Sequence, residues 1–227
     1  VDNNSTDGSA GVVAEYFKDV ELIASTSNLG FGGGHNLAFR HNDQPFFLVL
    51  NPDVIVEAGS IEQLLTQMKD DDRVAIAGPC LVNSDGSLQY SARRFYDWPT
   101  VLSRRLPIPF RDKRVEHHLM KDVDFSGLER VDVNWVMGAV MLCRRDAFDG
   151  QYLFDPRYKL YFEDVDLCYF AKQRGYKVIY LPFVKMVHDH QRLSAKGIVN
   201  KAAVTHFKSW LTFRKKCRDY AGSRVEV

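Results

Sequence analysis

The chain has 227 residues, of which 45% are hydrophobic and 26% charged, and its formal net charge is +1. That is ordinary globular composition, long enough for a substantial core. The near-neutral balance excludes a bulk electrostatic case for a nucleic-acid partner. No apolar run approaches the roughly 18–20 residues of a membrane span, and no signal-peptide pattern is present. The four cysteines, Cys80, Cys143, Cys168 and Cys217, show neither a CxxC pair nor a metal-type spacing. They read as free thiols suited to a reducing cytoplasm.

In chain order, Val1-Asp2 reads as the tail of a strand, and residues 3–9 carry turn chemistry. Ser9 is placed to cap a helix to about Lys18, with Val12, Val13, Tyr16 and Phe17 on one face. Residues 21–25 predict a strand, 28–34 a glycine-rich loop, and 35–40 a helix. The apolar run Phe46–Leu50 predicts a buried parallel strand, stopped by Asn51-Pro52-Asp53. A helix over 61–69 and a strand over 74–77 continue a βαβα rhythm, which argues for a parallel sheet covered by helices. Residues 81–129 read as an irregular excursion, with a turn at 83–87 and breaks at Pro99, Pro107 and Pro109. Strands over 131–134 and 139–143 follow, then a helix over 163–174 ended by Gly175, and strands over 176–180 and 184–187. The tail from Lys196 has helical period.

Five groups of residues carry chemistry worth weighing. Asn51-Pro52-Asp53 follows a strand, where open α/β sheets bind ligands, and its carboxylate suits a divalent cation; a simple turn is the plain alternative. Glu163, Asp164 and Asp166 open a helix behind Tyr158, Tyr161 and Phe162. Helix-dipole complementarity alone would explain them, but an aromatic wall also raises a carboxyl pKa and suits a general base. His188, in Met-Val-His-Asp-His ending at His190, is either a structural strand-end histidine or a cation ligand. The loop Asn28-Leu29-Gly30-Phe31-Gly32-Gly33-Gly34-His35-Asn36 either cradles phosphate or simply connects, and it is neither a GxGxxG nor a Walker A loop. Trp135 with Gly138 and Ala139 offers a sugar-stacking wall or close packing.

Taken in order, Val-Asp-Asn-Asn-Ser-Thr-Asp-Gly-Ser, the Asn-Leu-Gly-Phe-Gly-Gly-Gly-His-Asn loop, Leu-Asn-Pro-Asp, Gly-Ala-Val-Met-Leu-Cys-Arg-Arg and Tyr-Phe-Glu-Asp-Val-Asp-Leu-Cys resemble glycosyltransferase family 2. The nearest likeness is its bacterial rhamnosyltransferase-like branch, and it runs from Val1 to about Ser194. The resemblance implies an α/β GT-A fold with a mostly parallel central sheet flanked by helices. It implies a dTDP- or UDP-sugar donor, with rhamnose from dTDP-rhamnose preferred, and Mg²⁺ or Mn²⁺. The reaction implied is transfer with inversion to a glycan or lipid-linked glycan acceptor in cell-surface polysaccharide synthesis. Asp2, with Asn4 and Ser5, matches the donor-reading strand end, and Asn28, Gly30 and Asn36 match the loop bordering the nucleotide. Asn51 and Asp53 stand at the metal-binding DxD-like motif, with Asn51 replacing its first acid; His188 completes the metal site. Asp164 matches the general base, with Glu163 beside it.

The family's first strand and helix, which precede Val-Asp-Asn, are missing here. The expected organisation is therefore a GT-A domain over 1–195, incomplete at its N-terminus, and a basic amphipathic helix and tail over 196–227. An inactive nucleotide-sugar-binding domain is the alternative. Residues 192–218 hold many Lys and Arg and no acid, which suits peripheral contact with the inner face of the membrane through 196–218. A helix packed on the domain, its basic face merely solvated, is the other reading of that tail.

Overall fold

The structure, a computed structural model, describes residues 1–97, 100, 111–148, 150, 152–189 and 201–223. Pro99, Pro107, Pro109, His190 and the start of the tail at 196–200 lie outside the described residues. The chain divides into two compact units, one made of 1–44, 149–166 and 193–227 and the other of 45–148 and 167–192.

The second unit holds the sheet. Its strands are β1 (Phe46–Leu50), β2 (Val54–Ile55), β3 (Val74–Val82), β4 (Leu88–Gln89), β6 (Val131–Asp132), β8 (Val140–Arg144) and β9 (Lys177–His188), in the order β1-β8-β3-β9-β2, with β4 on β3 and β6 on β9. Two further strands, β5 (Ala92–Arg93) and β7 (Trp135–Val136), form a separate antiparallel ribbon. The sheet is mixed, which corrects the mostly parallel expectation. Among its named strands only β3 and β9 run parallel; β1–β8, β3–β8, β2–β9, β3–β4 and β6–β9 are antiparallel. An apolar run records burial on both faces but not strand direction, so β1 could not reveal its antiparallel partner.

The helix α3 (Ser60–Lys69) packs on this sheet because Ile61, Leu64, Leu65 and Met68 recur at helical spacing. Leu64 and Met68 are fully buried, worth about 1.5–3 kcal/mol each. Arg144 finishes the joint: its guanidinium donates to the carbonyls of Val74 at 2.9 Å and of Met68, serving one of the last carbonyls of α3. The two strands expected over 176–187 are one strand, β9. Its pairing with β3 jumps from Pro79–Leu181 to Cys80–Lys185, so 182–184 bulge around Pro182, which has no N–H to give the ladder. The 81–129 excursion includes a β3–β4 hairpin at the predicted turn and the helix α4 (Arg111–His118). The helix α5 (Glu163–Gln173) ends at Gly175, whose φ of 87° is the left-handed stop expected of glycine.

In the first unit, α1 (Ser9–Tyr16) has Gly8 as its N-cap and buries none of its residues. Ser9 is therefore not the cap, and Val12, Tyr16 and Phe17 are exposed rather than packed. The expected strand over 21–25 shrinks to one parallel bridge, Asp2 with Ala24. The helix α2 (Gly30–His41) starts inside the predicted glycine-rich loop. These glycines serve packing: a Cβ on Gly32 would sit 3.1 Å from the Phe154 Cβ, and Gly30, at φ +74°, approaches the Lys159 carbonyl. The helix α6 (Lys201–Ser223) also belongs to this unit, and no described helix is long and apolar enough to cross a membrane. All four cysteines are free, and Cys80, Cys143 and Cys168 are buried.

Candidate active site

In the second unit the end of β1 leads through Asn51-Pro52-Asp53 into β2, and Val54 of β2 pairs with His188 at the end of β9. The backbone fixes this corner, with Asn51 N–H donating to the Ala139 carbonyl and Asp189 N–H to the Asp53 carbonyl, both at 2.9 Å. Asp53 Oδ1 thereby stands 3.4 Å from His188 Nε2. The imidazole is buried, at 3% side-chain exposure, while Asp53 keeps 40%. The pair fits a divalent cation chemically, offering one carboxylate oxygen and one imidazole nitrogen from adjacent strand ends. Among the described residues no group of three His, Cys, Asp or Glu side chains could hold a metal. Further ligands would therefore come from diphosphate and water, as Mg²⁺ and Mn²⁺ accept readily. Sequence reasoning missed Gln89, whose amide binds the His188 ring and backbone.

In the first unit the acids open α5. Tyr161 and Phe162, just before them, have φ of 68° and 71°. Two successive non-glycine residues in the left-handed region store strain of about 1–3 kcal/mol each. The turn is held from α6: Ser209 Oγ donates to the Leu160 carbonyl at 2.9 Å, and Phe213 and His206 pack their rings on Phe162. Lys216 Nζ bridges Asp166 Oδ2 at 2.6 Å and Asp155 Oδ2 at 2.8 Å, and the Tyr158 hydroxyl donates to Asp166 at 2.9 Å. Lys216 was read only as part of a basic tail; its pairing with acids 50 and 61 positions away has no local signature.

Glu163 is buried, and its Oε2 meets no hydrogen-bond donor. Burial, reinforced by the neighbouring Asp164 charge, pushes its carboxyl up to about 7. Asp164 is half-buried, and its Oδ1 accepts from the Val165 N–H at 2.9 Å. Because the folded pKa of Glu163 is raised, its favourable contribution is complete below the unfolded value near 4.5 and is lost as pH rises through about 7. Glu163→Gln is therefore expected to change stability little at pH 5 and to raise it by about 1–3 kcal/mol at pH 8. Urea midpoints at both pH values check this. A variant less stable than the parent at pH 8 would show that the charged carboxylate is paired.

The remaining expected residues separate into two groups. Asp2 accepts from the Ser5 N–H at 3.0 Å, beside Asn4, whose φ of 65° is left-handed. Its hydrogen bonds from Ser5 hold the Asp2 carboxyl below the usual range. Asn28 Oδ1 accepts from the Gly30 N–H at 2.9 Å and turns the chain into α2. Asn3, read in the sequence only as part of the 3–9 turn, fastens the same place: its Oδ1 takes the Leu29 N–H at 2.7 Å and its amide donates to the Gly30 carbonyl.

Asn36 corrects an expectation. It is buried, and its side chain accepts from the Leu153 and Phe154 N–H groups and donates to the Phe154 carbonyl, so it staples backbone instead of facing a nucleotide. The sugar wall also fails in this structure. Trp135 is only 3% exposed, its indole N–H donates to the Arg94 carbonyl, and Arg93 and Tyr96 cover the ring. Gly138 and Ala139 are buried beside it in sequence. A stacking wall needs an open face, and packing has taken it.

A family model described as Glycosyl transferase family 2 matches residues 1–137. The chain belongs to that family. Among curated relatives it is 27% identical over 224 residues to an N-acetylglucosaminyl-diphospho-decaprenol L-rhamnosyltransferase of Mycobacterium tuberculosis, covering 92% of this chain and 72% of that protein. It is 30% identical to the rhamnosyltransferase WbbL of Escherichia coli K12, covering 91% and 76%. Among solved structures, GalNAc-T7 with UDP, GalNAc and Mn²⁺ superposes with a TM-score of 0.56 at 16% identity, covering 81% of this chain and 35% of that one. The mannosyltransferase PcManGT of Pyrobaculum calidifontis, in complex with GDP-Man and Mn²⁺, gives 0.55 at 18% identity, covering 85% and 47%. These likenesses establish the GT-A fold of this family 2 glycosyltransferase, which spans about a third and about half of the two solved chains.

Proposed function

We propose that this chain is the catalytic domain of an inverting glycosyltransferase that moves rhamnose from dTDP-rhamnose to a glycan or lipid-linked glycan acceptor. The observation that carries the reading is the Asp53–His188 pair at adjacent strand ends, a two-ligand site that wants diphosphate oxygens to complete it. The likeness to rhamnosyltransferases supports the sugar, and the Mn²⁺ in both structural neighbours supports Mn²⁺ or Mg²⁺. Asp53 and His188 would hold that cation, which supplies charge neutralisation for the leaving diphosphate when bound. Donor contact is assigned to Asp2, Asn4, Ser5, Asn28, Gly30 and Asn51. Asp164 takes the proton from the acceptor hydroxyl as its oxygen attacks the anomeric carbon, and the bond to the diphosphate breaks on the opposite face. No covalent nucleophile is needed. Glu163, whose carboxyl burial and the Asp164 charge push up to about 7, carries less than a full negative charge at neutral pH.

The free cysteines favour a cytoplasmic location. The reading also includes contact with the inner membrane face. While Ser209, Phe213 and Lys216 of α6 face inward, Val204, Phe207 and Leu211 are 42–48% exposed and share the outer side with Lys208, Arg214, Lys215 and Arg218. An apolar stripe among basic residues fits an anionic bilayer surface. The test is release of dTDP from dTDP-rhamnose, compared with UDP release from UDP-glucose, with a lipid-linked N-acetylglucosamine diphosphate acceptor in anionic vesicles. Faster turnover of dTDP-rhamnose, and weaker vesicle sedimentation of a Phe207→Glu/Leu211→Glu variant, are expected. Preference for the UDP-sugar would overturn the donor, and undiminished sedimentation the membrane contact.

A further inference from the structure

We propose that Gln89 is a positioning residue that fixes the tautomer of His188 so that its Nε2 presents a lone pair beside Asp53. The inference rests on the cation site proposed above and adds the group that prepares it.

The Gln89 side chain is committed at both ends. Its amide nitrogen donates to Asn83 Oδ1 at 2.6 Å and to the His188 carbonyl at 2.8 Å, which uses both N–H bonds. Its Oε1 then faces His188 Nδ1 at 2.8 Å. Rotating the amide by half a turn would point Oε1 at two oxygens and lose both bonds, so the orientation is determined. An amide oxygen only accepts, hence Nδ1 must carry the proton. In a neutral imidazole this leaves Nε2 unprotonated, on the side where Asp53 Oδ1 stands 3.4 Å away.

The clamp is itself held. Asn83 donates from its amide to Ser87 Oγ at 2.7 Å within the β3–β4 turn. Gln89 pairs with Leu81 across that hairpin, and Val82 pairs with Val187 of β9. The hairpin thus carries Gln89 to the one ring nitrogen that a cation does not use. Residues that orient a ligating histidine in this way typically change metal affinity by about 10- to 100-fold when removed.

The experiment uses the full chain labelled with ¹⁵N-histidine, with His188 assigned by its loss in His188→Ala. Long-range ¹H–¹⁵N correlations distinguish Nδ1–H from Nε2–H without any metal. The wild type is expected to show Nδ1–H at His188, and Gln89→Leu to lose that preference. Mn²⁺ affinity, measured with dTDP or UDP present, is expected to fall about 10-fold or more in Gln89→Leu. Nε2–H in the wild type overturns the clamp whatever the metal does. Nδ1–H with equal Mn²⁺ affinity in Gln89→Leu overturns its bearing on the cation. A wild type that shows Nδ1–H but binds no Mn²⁺ supports the clamp and sinks the cation reading alone.

Discussion

Asp164→Asn is expected to lower sugar transfer by about 100- to 10,000-fold while leaving nucleotide binding unchanged. The asparagine keeps an oxygen for the Val165 N–H and so preserves the start of α5, but it cannot accept the acceptor's proton. The effect should therefore fall on kcat, with the affinity for Mn²⁺ and nucleotide diphosphate, read by calorimetry, matching the parent. Glu163→Gln measured beside it decides between the two acids. If Glu163→Gln collapses turnover and Asp164→Asn does not, the base is Glu163, the carboxyl that burial lifts to about 7.

Lys216→Met should carry the largest stability loss. Lys216 joins Asp155 and Asp166 beneath the strained turn, and Asp166 has only 5% of its side chain exposed. Burial pushes the Asp166 carboxyl up even with Lys216 present. Without the ammonium a buried carboxylate is left uncompensated, which costs about 3 kcal/mol, the lower end of the usual range because Lys216 keeps 21% of its side chain in water. The deficit should be largest at neutral pH. It should shrink in acid, because a carboxyl whose folded pKa is raised loses its penalty below the unfolded value. Adding Asp166→Asn should restore part of the loss, since removing both partners leaves no orphan charge. Urea unfolding of the single and double variants reads this, and a double variant no more stable than Lys216→Met would show that the orphaned Asp166 charge is not the cause of the loss.

The stability link explains why the basic tail was only half legible. Residues 192–218 showed charge and helical period, and both features stand in α6. That one of those lysines would turn inward onto acids far earlier in the chain depends on tertiary folding, which spacing does not encode. The motif end of β1 was legible because an apolar run followed by Asn-Pro-Asp is a local signal, and the His188 strand end likewise. Gln89 was silent because a two-residue strand has no period to read. Asn36, and the choice between sugar wall and packing at Trp135, were not legible for a common reason: amides and indoles serve backbone carbonyls and N–H groups as readily as ligands, and only burial separates the two uses. The glycine run was taken for a loop because glycine disfavours helices locally; close approach to Phe154 and Lys159 outweighed that preference in α2.

The most direct measurement is calorimetric titration of the chain with dTDP and with UDP, in Mn²⁺ and in chelator, repeated with Asp53→Ala. Binding is expected to require Mn²⁺, to be tighter for dTDP, and to be lost in the variant. Nucleotide binding that is indifferent to both chelator and Asp53→Ala would contradict the assignment of Asp53 and His188 to a cation on the donor side.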